Sequence, residues 1–110
     1  KLKTRAFMGI RALLGEHHSF MDDGESFFWV LFWICIHYNG PNEERYVQRF
    51  DKWNYADAEE LAGMKLGIVA DEVIFRKILD EYVTEYYKIL IPWLNRLRRV
   101  VFPSGGTWKK

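Results

Sequence analysis

A single cysteine, Cys35, stands in this chain of 110 residues. An intramolecular disulfide is therefore excluded, and no Asn-x-Ser/Thr sequon is present, so a reducing, intracellular setting (cytoplasmic or nuclear) is the expectation. An excess of one charge sign is lacking too. With 16 Lys and Arg against 15 Asp and Glu the net charge is +1, which gives no global drive toward nucleic acid or anionic lipid. Long apolar stretches are missing: the uncharged run "FFWVLFWICI", Phe27 to Ile36, is about half of the roughly 20 residues that a membrane-spanning helix needs. Strand-type alternation, repeats and low-complexity tracts are absent. The opening "KLKTRAFMGI" has neither the apolar core nor the small-residue cleavage site of a secretory signal.

Aromatic and apolar material is what the chain has. Aromatics make up 17% and hydrophobic residues 49% of it, enough to exclude disorder and to fill the core of one domain, or part of one. The apolar run predicts a helix of about 16 residues, buried on nearly all sides, around which the others pack. Asp22 and Glu25 have capping-box spacing at its start, and Asn39-Gly40-Pro41 supplies the stop.

Around it the pattern predicts further helices and an all-α class. "TRAFMGIRALLG" places Phe7, Ile10, Leu13 and Leu14 at helical spacing and ends on Gly15. An irregular stretch follows from Pro41 to Trp53, anchored by Tyr46, Val47, Phe50 and Trp53. Asn54 is the expected cap of a helix through "NYADAEELAGMKLGIVA", weakened at Gly63 and Gly67. "DEVIFRKILDEYV" directs Val73, Ile74, Ile78 and Leu79 inward. Thr84 is the expected cap of the last helix, which Pro92 should kink and Pro103 end.

Three segments, "TRAFMGIRALLGEHHSFMDDGESFFWVLFWICIHYNGP", "FDKWNYADAEELAGMKLG" and "IPWLNRLRRVVFPSGGTWKK", together resemble the second half of the large lobe of the fungal-type protein kinases. By that resemblance the first segment spans the end of the activation loop and the buried helix on which a kinase hangs its catalytic loop. The implied organisation is a single partial domain, residues 1–110, truncated at the N-terminus. The glycine-rich loop, strand lysine, catalytic Asp with its Asn, and magnesium-binding Asp would all precede Lys1. ATP and magnesium are thus implied for a full-length parent that phosphorylates protein hydroxyls, and no cofactor, metal or catalytic residue for this chain.

Two residues carry roles by resemblance. Asp23 falls where kinases place the Asp that accepts hydrogen bonds from the catalytic-loop backbone; a cap shared with Asp22 would use the same acceptor chemistry. Thr4 falls on the Thr that helps position the substrate hydroxyl, and a solvent-facing first-turn residue is the plain alternative. The chain departs from the family pattern at Lys3 (usually Gly), Asp22 (usually His) and Gly24 (usually aliphatic). Arg11 stands near the usual place of a Glu that pairs with a large-lobe Arg.

Other constellations carry less. His17, His18, Cys35 and His37 lack the i, i+4 spacing of helical metal ligands, and a lone Cys in an apolar helix is ordinarily a small buried hydrophobe. Arg96, Arg98, Arg99, Lys109 and Lys110 with Trp93 and Trp108 form the best nucleic-acid candidate, set against a solvated helix end whose cations suit the dipole. Neither nucleic acid nor membrane is an expected partner. The partners expected are the missing N-terminal kinase half or another protein. The sequence leads to a non-catalytic kinase-lobe segment, with a free-standing helical protein–protein interaction module as the alternative.

Overall fold

The apolar run folds as the core of an 18-residue helix, α2 (Phe20–His37). A computed structural model of the chain describes residues 4–15 and 20–103. Among these, the regular structure is all helical, and the irregular stretch after α2 carries an isolated antiparallel bridge between Tyr38 and Glu44 that closes the turn there. Gly40 makes that turn at φ 134°, a backbone conformation that a side chain would strain.

Before α2 lie a 3-10 turn, Thr4–Phe7, and a one-turn helix, α1 (Ile10–Leu13). The single amphipathic helix expected here is broken at Met8-Gly9, and Leu14 faces solvent. After α2 come α3 (Gln48–Asp51) with a 3-10 turn Lys52–Asn54, then α4 (Ala58–Val69), α5 (Glu72–Tyr82), a 3-10 stretch Glu85–Leu90, and α6 (Ile91–Val101). α1 packs on α4, α6 packs on both α2 and α5, and α4 packs on α5.

Several expected details are corrected. Helix α4 is capped by Asp57, whose carboxylate accepts from Glu60 N at 2.8 Å, and not by Asn54. It runs through Gly63 and Gly67, since burial of Leu61, Ala62, Ile68 and Val69 offsets the weak propensity of those glycines. Asp71 caps α5, so its inward face is Phe75, Ile78 and Leu79, while Val73 and Ile74 are exposed. Pro92 starts α6 rather than kinking a longer helix, because its missing N–H is no loss in a first turn. The Thr84 hydroxyl donates to Tyr38 O at 2.6 Å and caps nothing.

Aromatic side chains fill the core. Phe28, Trp29 and Phe32 on α2 are fully buried against Trp53, Phe50, Phe75 and Phe102. Most of these rings meet edge to face: Phe28–Phe102 at 5.2 Å, Phe50–Trp53 at 5.3 Å and Trp29–Phe32 at 5.5 Å between centroids. Such pairs contribute about 0.5–1.5 kcal/mol beyond area burial and favour one arrangement over others.

Candidate functional site

Helix α2 has two unlike sides. Phe28, Trp29, Phe32, Cys35 and Ile36 are buried, whereas Asp23, Phe27, Val30 and Ile34, spaced i, i+4, i+7 and i+11, share the other side. Along that side Asp23 and Phe27 are exposed, Phe27 at 61%, and Val30 and Ile34 are only partly covered. The expectation of a helix buried on nearly all sides holds along the run Phe27 to Ile36 except at Phe27. Among the described residues this apolar stripe of α2 is covered only in part, with a carboxylate at its N-terminal end. At the C-terminal end the stripe runs into an apolar groove of about 440 Å3, lined among others by Phe7, Trp33, Tyr38 and Tyr87.

Asp22 and Asp23 lie inside the first turn of α2, since the helix begins at Phe20. Neither residue, nor Glu25, is at the cap position that the sequence spacing suggested. The Asp22 and Thr4 side chains lie outside the described residues, as do His17, His18, Trp108, Lys109 and Lys110. Asp23 and the backbone turn Thr4–Phe7 lie at the N-terminal end of the described structure, on α2 and on the segment before it.

A second constellation sits on the buried side, where the segment before α2 crosses it. Three backbone groups of this segment take their hydrogen bonds from side chains of other elements. Ser26 Oγ donates to Phe7 O, and Lys65 Nζ, on α4, donates to Met8 O at 2.6 Å. Ile10 N donates to Glu25 Oε2 at 2.8 Å, and the same oxygen accepts Trp29 Nε1 at 3.0 Å. Both charged residues are buried, Glu25 at 3% and Lys65 at 0% exposure. The ammonium lies 4.9 Å from the Trp29 ring and 5.4 Å from the Trp53 ring, a placement that favours the cation through the ring quadrupole. Burial pulls the Lys65 ammonium down to about 7, and the Glu25 charge opposes that shift. Gly9 passes so near that a Cβ there would meet Glu25 Oε1 at 2.9 Å.

Sequence reasoning missed Lys65 entirely and gave Glu25 to the wrong task. A lysine in a polar-looking register of α4 has no local mark that separates it from a solvated one. The Glu25-Ser26 pair did carry a signal, since both belong to the segment that resembles the kinase family.

The α5–α6 contact holds a third polar group. Glu72 accepts from Arg99 at 2.7 Å, from Asn95 at 3.2 Å and from Arg98 at 3.4 Å, while Arg98 also donates to Val69 O at 2.9 Å. The Arg99 and Asn95 hydrogen bonds hold the Glu72 carboxyl down to about 2. Arg98 is 5% exposed, so the supposed solvated basic helix end is in part an internal tie between helices. Burial pushes the Cys35 thiol up to about 11, the state of an inert structural cysteine. His37 stacks on Trp33 at 3.9 Å and its Nδ1 faces Trp33 O at 3.0 Å. Among the described residues no group of three or more His, Cys, Asp or Glu could hold a metal ion, and no helix is long and apolar enough to cross a membrane.

The family model described as fungal protein kinase matches residues 1–35, the stretch that contains Asp23, Glu25 and Ser26 and the segment to which the last two bond. This chain is similar to that family over those residues. No curated protein and no solved structure matches the chain.

Proposed function

We propose that this chain is the second half of the large lobe of a fungal-type protein kinase and is non-catalytic by itself. In this reading α2 is the post for a catalytic loop and nucleotide site supplied by sequence ahead of Lys1. Asp23 anchors the backbone of that loop, and Thr4 helps position the substrate hydroxyl. The parent would transfer phosphate from ATP-magnesium to protein hydroxyls, in an intracellular compartment.

One observation carries most of the weight. Within the residues similar to the family, α2 leaves Asp23 and Phe27 exposed and Val30 and Ile34 only partly covered, while Phe28, Trp29, Phe32, Cys35 and Ile36 on its other side are buried. Phe27 in water forgoes roughly 1.5–3 kcal/mol of burial, which a loop seated on this side would recover. The carboxylate beside it can accept the N–H groups of a segment that has no secondary structure of its own.

Sequencing the coding region upstream of Lys1 tests this directly, followed by co-expression of that region with this chain. The expected result is a glycine-rich loop and a catalytic-loop Asp upstream, phosphoryl transfer by the combined protein, and no nucleotide binding by this chain in calorimetry. Micromolar ATP affinity of the isolated chain, or an upstream region without those motifs, would overturn it.

A free-standing helical protein–protein interaction module is the second reading. The apolar groove between Phe7, Trp33, Tyr38 and Tyr87 favours it. A native coding region confined to these helices would select this reading over the first.

A further inference from the structure

The segment before α2 cannot hold its own shape. It consists of a 3-10 turn and one turn of α-helix, too short to nucleate helix in isolation. Apolar contacts alone would fix it poorly: Ala6, Ile10 and Leu13 are buried, but small aliphatic groups on a helical surface can slide to neighbouring positions at little cost. The charged pair beneath it adds direction. Glu25 reaches the segment from α2 and Lys65 from α4, and they take opposite kinds of backbone group, an N–H at Ile10 and a carbonyl at Met8. A slip of one residue would carry the Ile10 N–H and the Met8 carbonyl away from both side chains at once.

A buried ion pair is a poor way to gain stability, because desolvation cancels most of the attraction, and apolar replacements of similar volume are often neutral. Register is what such a pair can supply. We propose that Glu25 and Lys65 are a positioning pair that locks residues 7–10 in one register against α2 and α4, and thereby fixes how the Thr4–Leu13 segment is presented to a peptide. That the presented partner is a peptide substrate rests on the kinase reading; the locking does not. Gly9 belongs to the same device, since only a residue without Cβ lets the Glu25 carboxylate come this near. The groups facing the Lys65 ammonium include Glu25 from α2, the Met8 carbonyl from the segment, and the Trp29 and Trp53 rings.

Hydrogen exchange on the full 110-residue chain tests the lock. Lys65→Met combined with Glu25→Gln keeps both volumes and removes both charges and the lysine donor, so that no charge is left buried alone. It should speed exchange of the amides of residues 7–13 by at least tenfold, with exchange in α5 and α6 and the denaturation midpoint essentially unchanged. Gly9→Ala, which presses on Glu25 from the other side with Lys65 intact, should give the same local pattern. If the double variant fails to fold, the proposal is overturned, because the pair is then a source of stability and not of register. Unchanged exchange at residues 7–13 in both variants overturns it as well, and so does acceleration spread evenly over the chain. None of these results depends on phosphoryl transfer, so the kinase reading can fail while the lock stands, or the reverse.

Discussion

Lys65 Nζ lies 2.6 Å from the carbonyl oxygen of Met8, 57 residues earlier in the chain. Through this bond α4 holds the segment that enters α2, and the ammonium is covered by the Trp29 and Trp53 rings. Truncating it without filling the space leaves both the Glu25 charge and the Met8 carbonyl inside an apolar core. Lys65→Ala should therefore cost about 3–5 kcal/mol, far more than the joint replacement of Lys65→Met with Glu25→Gln, which leaves no charge buried alone. Urea denaturation of the two variants side by side measures the difference.

Phe27 and Phe28 are adjacent in sequence and opposite in environment, one 61% exposed and the other at 0%. Phe28→Ala should destabilise by about 3–5 kcal/mol. At about 4–8 °C per kcal/mol for a domain of this length, the melting temperature falls by more than about 12 °C. Phe27→Ser should shift it by only a few degrees, and should lower binding of a hydrophobic dye. Thermal melts with the dye present read both effects.

Asp23→Asn separates the two functional readings. The side chain is exposed in the first turn of α2, where a lost carboxylate ordinarily changes stability by about 0.3–1 kcal/mol. The isolated chain should melt within about 4–8 °C of the unsubstituted protein, whereas a reconstituted kinase should lose most of its activity. A larger drop in the isolated chain would make Asp23 a structural group of these helices and remove its role as a loop anchor.

The Glu72 carboxyl ties α5 to α6 and is held down to about 2 by Arg99 and Asn95. A folded value below the ordinary one near 4.5 means that the unfolded chain binds the proton first. The stabilisation is complete above about pH 4.5 and is lost as pH falls toward 2. Glu72→Gln should flatten this part of the melting temperature against pH curve, and at neutral pH added salt should narrow the gap between the two proteins.

Cys35 should not react with an aromatic disulfide reagent in the native chain at pH 8. Its thiol is buried and pushed up to about 11, so the thiolate is scarce and out of reach. One equivalent of thiol should appear when denaturant is added, and the rate of its appearance should follow unfolding.

How much of this was legible in advance divides along physical lines. The sequence by itself determined the all-α class and the position of α2, because an uncharged run of ten residues between acidic and turn-forming stretches leaves a chain of this composition few other outcomes. It also determined the similarity to the fungal protein kinases at residues 1–35. Only the tertiary structure decided which side of α2 is covered, since Phe27 and Phe28 have the same hydrophobicity and differ in direction alone. It likewise placed the cap of α4 on Asp57 instead of Asn54 and sent Arg98 inward, choices made by packing between helices and not by local propensity. The Lys65–Met8 contact had no precursor in the local pattern: a lysine's place in the core depends on a carbonyl, a carboxylate and two indole rings that come from three different parts of the chain.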